Sequence, residues 1–185
     1  KLIGQSGVVG EENNRLLLFL IFLSRQLENP LHALLLGKEG SGKKFLLGKI
    51  SELVPPESRV PISSLSANAL FYFERDALKN KLLVVDDLDH AHENGLAALR
   101  ELQQKGVLYK PIPVKNASGK LKINQFEVTG PVSVAATTTR SRPADREFAL
   151  CLQLEAIKEQ NEKILAYQRA AAAGKISSAD EERVR

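Results

Sequence analysis

Apolar residues crowd Glu11 to Leu27 on nearly every side, after Gly10 and before Asn29-Pro30. That pattern predicts a helix, and its all-round apolarity predicts a buried one. His32 to Leu36 is a short unbroken apolar run followed by glycine, as expected of a strand covered on both faces. Gly37 to Lys44 is a glycine-rich turn, and a helix resumes over Phe45 to Leu53 until Pro55-Pro56. The small, polar stretch Ile62 to Leu70 reads as a loop or short strand, and Leu70 to Lys81 is mixed. Leu82 to Val85 is a second buried strand that runs into Asp86-Asp87. Over Glu93 to Lys105, Leu96, Leu99 and Leu102 recur at helical spacing, and Gly106 supplies the stop. Val107 to Val128 alternates like a hairpin, turning at Asn116-Ala117-Ser118-Gly119. Val132 to Ala136 is a third apolar strand and ends in Thr137-Thr138-Thr139. A charged helix is predicted from Leu154 to Ala173, and Ser177 to Arg185 reads as a frayed or linker-like tail. No internal repeat is visible.

Strands alternating with helices predict an α/β fold, a mainly parallel sheet flanked by helices, here with an inserted β-hairpin. Ligands of such sheets sit beyond the carboxyl ends of the strands, where Gly37, Asp86 and Thr137 all fall. The expected organisation is a nucleotide-binding core over residues 1–153, with the hairpin insert at 107–128, and a C-terminal helix and tail over 154–185.

A length of 185 residues suits one such domain with a short appendage. Hydrophobic residues at 43% and charged residues at 26% are ordinary for a globular protein. The net charge of +4 is mild, so contact with nucleic acid must be argued from local clustering. One cysteine, Cys151, excludes a disulfide framework and a multi-cysteine zinc site within this chain, and fits a reducing cytoplasm. It is expected to be a small buried apolar residue. The longest apolar run, Leu16 to Leu23, is too short to span a bilayer, and Glu11 and Glu12 before it are wrong for a secretory leader. The chain begins at Lys1 and contains no methionine, which reads as a piece of something longer.

Gly37-Lys38-Glu39-Gly40-Ser41-Gly42-Lys43 satisfies G-x-x-x-x-G-K, after an apolar strand and before a helix, where that motif belongs. Gly37, Gly40 and Gly42 let successive backbone N–H groups turn inward around phosphate oxygens. The helix N-terminus adds partial positive charge, and Lys43 reaches the β and γ phosphates. A glycine-rich turn with lysines kept for solubility is the plainer alternative. The motif departs at the next position, where a Ser or Thr hydroxyl holds Mg²⁺ and this chain has Lys44. An ammonium cannot ligate a metal and repels it. Either Lys44 swings outward and Mg²⁺ is held through water, or hydrolysis is weak or absent. Ser41 is an outside candidate for a replacement hydroxyl. ATP binding is expected ahead of ATP turnover.

About forty residues on, the apolar strand ending in Asp86-Asp87 matches the second ATPase motif. There Asp86 would orient Mg²⁺ and its waters, while Asp87, one methylene shorter than the usual glutamate, would polarise the attacking water. Asp89 could act instead, and all these acids could also simply cap the next helix. His90 and His92 are read as solvated and not as a metal pair. Thr138, in the triple threonine, can sense the γ-phosphate, although three threonines also suit a strand end by propensity. Arg140, Arg142 and Arg146 follow. One could act across a subunit boundary as an arginine finger, and the others are expected to be solvated.

The hairpin carries Tyr109, Lys110, Lys115, Lys120 and Lys122. A basic hairpin can present cations to a phosphate backbone without reading sequence; equally, its lysines can protect an exposed edge.

Taken in order, the phosphate loop, acidic strand end, helix, basic hairpin and polar-ended strand resemble AAA+ proteins with a hairpin before sensor 1. Minichromosome-maintenance-type helicases belong to that group. Ser63 to Tyr72, with Leu78-Lys79-Asn80-Lys81 after it, is more closely similar to the ATPase part of primase-helicase proteins of bacterial mobile elements, which carry an N-terminal zinc finger and primase region. The likeness runs from about Leu2 to Arg169. Its most specific pieces are Leu70-Phe71-Tyr72 and Gly130-Pro131 before the triple threonine. The resemblance implies an ATP- and Mg²⁺-dependent motor acting as a homo-oligomeric ring on single-stranded or forked DNA, with the hairpin lining the channel. Lys44, Asp87 and the lack of an arginine just before Cys151 depart from it. A weakened nucleotide-binding module with an assembly or regulatory role is the alternative. A small-molecule P-loop kinase would need an arginine-rich lid, which is not evident, and leaves the lysine hairpin unexplained.

Overall fold

A computed structural model describes residues 8–115, 121–140, 142–154 and 158–173. The continuous apolar runs form the expected buried strands: β1 (Ala33–Leu36), β3 (Lys81–Val85) and β6 (Val132–Thr138). Two further strands complete the sheet, β2 (Arg59–Ile62) and β7 (Leu150–Gln153), in the order β2-β3-β6-β1-β7 with every neighbouring pair parallel. β2 ends on Ile62, the first residue of the stretch read as loop or short strand, and β7 is not among the expected strands although Phe148 to Leu152 is an apolar run. Both are edge strands of four residues. Pro61 is tolerated in β2 because an edge strand has one side free of ladder bonds.

Successive residues of each central strand enter opposite cores, as a pleated strand requires. Leu34, Leu83, Val85, Val134 and Ala136 pack on one face with Leu96, Leu99 and Leu102 of α3 (Glu93–Lys105). Ala33, Leu35, Leu82, Val84 and Ala135 pack on the other with α1 (Glu12–Leu23) and α2 (Lys43–Ser51). The fold is therefore an α/β sandwich of three layers. α3 has the predicted bounds and ends on Gly106 at φ 66, a left-handed stop that glycine adopts without a Cβ penalty.

α1 stops at Leu23, short of the predicted Leu27, and Ser24–Gln26 continues as a single 3-10 turn. The expectation that this helix is buried all round is wrong. Leu18, Ile21 and Phe22 are fully buried, whereas Leu16 and Leu20 are each 52% exposed. One sheet face covers one side of a helix, and no described element covers the other. Cys151 is also corrected: it is exposed on edge strand β7, whose inward position is Leu152.

The hairpin forms from β4 (Val107–Lys115) and β5 (Leu121–Thr129), antiparallel and paired from Val107↔Thr129 to Lys115↔Leu121. Beyond β6 come a short helix α4 (Pro143–Arg146), then β7, then α5 (Lys158–Ala172). No described helix is long and apolar enough to cross a membrane.

His32 ties the two layers beside β1. Its Nδ1 accepts from the Val134 amide at 3.1 Å, and Nε2 faces the Gln103 carbonyl at 3.3 Å. The ring is thus neutral with its proton on Nε2, and burial lowers its pKa below the usual 6.5 against the opposing pull of the Gln103 carbonyl. Below that ordinary value the unfolded chain takes up a proton that the folded chain refuses, so stability falls as pH drops from 6.5. His32→Asn keeps an acceptor for Val134 and removes the titration. Urea midpoints should fall more between pH 7 and pH 5 in the wild type than in the variant; equal losses would refute the assignment.

Candidate functional site

The carboxyl ends of β1, β6 and β3 lie side by side, so the three motifs converge. After β1, Gly37 donates from its amide to Thr138 O at 3.4 Å, and a Cβ on Gly37 would stand 2.5 Å from Leu154 O and 2.7 Å from Ser41 Oγ. Only glycine lets the loop pass this close to the chain leaving β7. Gly40 and Gly42 take φ of +75 and +84, the left-handed region that curls a phosphate loop. Gly42 is the N-cap of α2 and provides no side-chain acceptor, so the first amides of the helix point into the loop.

Lys43, the first residue of α2, is buried and donates to Gly37 O at 2.7 Å and Lys38 O at 2.6 Å. Burial lowers its pKa, opposed by the nearby carboxylates of Asp89, Glu39 and Asp87. Ser41 Oγ is buried against Gly37 and has no hydrogen-bond partner among the described residues. Ser41 is not among the residues that line the cleft.

Lys44 does not swing away from the site. Its Nζ reaches across to Asp87 Oδ2 at 3.2 Å, joining the first turn of α2 to the end of β3. Asp87 also takes the Asp89 amide on Oδ1 at 2.8 Å and His90 Nδ1 on Oδ2 at 3.2 Å. Burial alone would raise its pKa; the Asp89 amide, Lys44 and His90 outweigh that and hold it below the usual carboxylate value. Asp86 is held through its main chain, its amide donating to Ile62 O at 3.0 Å and its carbonyl accepting from Thr137 Oγ1, and it is not among the residues that line the cleft.

Asp89 is the acid that the sequence pattern ranks second to Asp87. Its two oxygens accept from Thr138 Oγ1 at 2.6 Å and from Thr139 N and Oγ1, both at 2.7 Å. Burial opposes ionisation, but these bonds and Arg140 hold its pKa at about 2. Thr138 is fully buried and occupied by Asp89, whereas Thr139 and Arg140 line the cleft. Arg142 is not free to reach a neighbour. Its Nε donates to Asp145 at 2.6 Å and its Nη2 to Leu88 O at 3.1 Å, while Arg100 Nε reaches the same carboxylate at 3.1 Å. Arg146 is exposed on α4. His92 caps α3 by accepting from the Asn94 amide at 3.2 Å.

The cleft of about 450 Å³ is thus bordered by Gly40, Gly42, Lys43, Lys44, Asp87, Asp89, Thr139 and Arg140. Gly37, Ser41, Asp86 and Thr138 support it from outside that lining. P-loop NTPase folds generally bind nucleotide with Mg²⁺. The donors that line the cleft do not fit the metal, because a cation stands at the ligand position and both lining aspartates are already bonded.

At the hairpin, Leu108 and Val128 are fully buried, and Gly130 N closes the base on Gly106 O at 2.6 Å. Lys110 belongs to this base. Its ammonium lies 4.8 Å from the centre of the Phe71 ring and bonds to Asn68 Oδ1 at 2.5 Å, tying the strand to the turn Ala69–Tyr72. Leu121 and Ile123, over 70% exposed, make the outer arm apolar and not only basic. Lys120 and the side chains of Lys115 and Lys122 lie outside the described residues.

Comparison with known proteins agrees with this geometry. Thermotoga maritima RuvB, solved as a lysine-to-arginine point mutant, superposes with a TM-score of 0.55 at 19% identity, over 91% of this chain and 53% of that one. The chain therefore spans about half the length of that structure, and the likeness is one of fold. Curated protein sequences give no match. The model of a family described as the MTBMA_p00010 P-loop domain matches residues 4–184. Because that match covers nearly the whole chain, the chain belongs to the MTBMA_p00010 P-loop domain family.

Proposed function

We propose that this domain binds ATP in the cleft at the strand ends and works within an oligomeric, DNA-handling AAA+ assembly, turning ATP over slowly or not at all. The observation that carries ATP binding is the convergence of Gly40, Gly42, Lys43 and Arg140 on one cleft. Left-handed glycines open backbone amides toward an anion, and three flanking cations, counting Lys44, suit a polyphosphate. The Lys44–Asp87 pair favours weak turnover, since the carboxylate that would polarise a water is held by an ammonium.

The finer likeness to primase-helicase ATPases and minichromosome-maintenance-type helicases belongs to this proposal. The contact of Lys110 with Asn68 and Phe71 supports it, because it joins the most specific resembling stretch to the hairpin. DNA, single-stranded or forked, is the proposed partner, a homo-oligomeric ring the proposed assembly, and the cytoplasm the proposed compartment. Arg140, in the cleft, and Arg146, exposed, remain as arginines for phosphate or neighbour.

Two measurements test this. ATPase rates with and without single-stranded DNA separate a DNA-stimulated motor from a module that binds ATP for assembly. A salt titration of DNA affinity then compares wild type with the Lys115→Ala, Lys120→Ala, Lys122→Ala triple variant. The triple variant should bind more weakly at every sequence and lose roughly 0.7 in log–log slope per phosphate contact removed. ATP affinity should stay constant, since the loop is untouched. An unaltered slope would leave these lysines as a solvated edge.

A further inference from the structure

In P-loop sites a divalent ion bridges the first turn of the loop helix, the acidic strand end and the phosphates. Here that bridge is already made by the chain. Lys44 Nζ spans from the second residue of α2 to Asp87 Oδ2 at 3.2 Å, and its side chain is still 59% exposed toward the cleft. An ammonium carries three donors, so one can remain on Asp87 while the others turn to phosphate oxygens. Little acceptor capacity is left for a metal on the aspartates that line the cleft. Asp87 is engaged on both oxygens by the Asp89 amide, Lys44 and His90, and Asp89 is engaged on both by Thr138 and Thr139. Glu39, the third acid of the lining, sits on the exposed loop, and Asp86 does not line the cleft. A dication placed between α2 and Asp87 would lie within a few ångströms of the Lys44 charge, where repulsion is strong.

We propose that Lys44 is a built-in replacement for Mg²⁺, so that this cleft takes a nucleoside triphosphate free of divalent metal. The proposal rests on the nucleotide site described above and adds how its charge is balanced. Lys43, Lys44 and Arg140 give three positive charges against the triphosphate, and the metal contributes none.

The test is calorimetric binding of a non-hydrolysable ATP analogue to the 185-residue chain, once in excess Mg²⁺ and once in EDTA, for wild type and Lys44→Thr. Lys44 is mostly exposed, so the substitution should leave the fold intact, which a thermal melt checks. Wild type should bind with dissociation constants within about threefold of each other in the two buffers. Lys44→Thr should be weakened in EDTA and recover tenfold or more in Mg²⁺. Tightening of the wild type by tenfold or more in Mg²⁺ would overturn the proposal while leaving the nucleotide site standing. A Lys44→Thr variant as indifferent to Mg²⁺ as the wild type would also overturn it, since metal exclusion would then not come from Lys44. Absence of binding by the wild type in both buffers would overturn the nucleotide site itself, and this inference with it.

Discussion

Lys43→Ala should weaken ATP binding by about 2–3 kcal/mol, roughly 30- to 150-fold in Kd. Among the described residues its ammonium is the cation that reaches the inside of the loop, held 2.6–2.7 Å from the carbonyls of Lys38 and Gly37. Being buried, it meets a phosphate with little water to screen the contact. The effect stays at the lower end of what a buried ionic contact can give, because Lys43 must exchange carbonyl partners for phosphate oxygens. The same substitution leaves those two carbonyls without their donor, which should cost the free protein about 1 kcal/mol of stability. Calorimetry on folded protein separates the two effects. An affinity changed less than threefold would remove the phosphate-loop assignment.

A loss of about 2–4 kcal/mol in folding stability is expected for Asp89→Ala. One carboxylate receives three donors from Thr138 and Thr139, pinning the turn after β3 to the end of β6. Its pKa, about 2 against an ordinary 3.8, is a second gauge of the same energy and gives ~2.5 kcal/mol, an upper value because the group is partly wet. The sign follows from linkage. The folded pKa is depressed, so this stability is fully present above pH 3.8 and is lost as pH falls through about 2. Urea unfolding at pH 7 should show the loss directly. Acid sensitivity from pH 4 downward should be shallower in Asp89→Ala than in wild type, and an unchanged acid profile would count against the bonding scheme.

The central sheet is legible in the sequence because burial on both faces leaves a simple signature. Leu34 and Leu35 point into different cores, so β1 has no polar position to break the run, and the same holds for β3. β7 falls within an apolar run too, Phe148 to Leu152, but that run follows Pro143 and a cluster of charges and buries only Leu152 of the strand, and β2 has Pro61 inside it. All-round apolarity misleads over α1 because burial needs a covering layer, and the helix's own residues do not say whether one exists. In the site, spacing locates Lys43 and the two acids. It cannot tell that Asp87 is the acid paired with Lys44, which depends on how β3 exits the sheet. The partner of Lys44 is hidden for a similar reason: ion pairs between two elements are invisible until both are placed. Asp89 looks like a spare acid by spacing, yet the triple threonine is its signal, a row of donors at the neighbouring strand end waiting for an acceptor.

The place of β6 in the sheet also governs when this chain can become a domain. Within the sheet β1 pairs with β6 and β7, and Ala33 meets Ala135 roughly a hundred residues later. A chain emerging from the ribosome can form the β2–β3 pair early, but β1 waits until most of the sequence has been made. Until then β1 lacks the strand it pairs with on that side, and the glycine loop hangs from a strand not yet held. The keystone is laid late, so the site for nucleotide and the completed sheet arrive in the same step of synthesis.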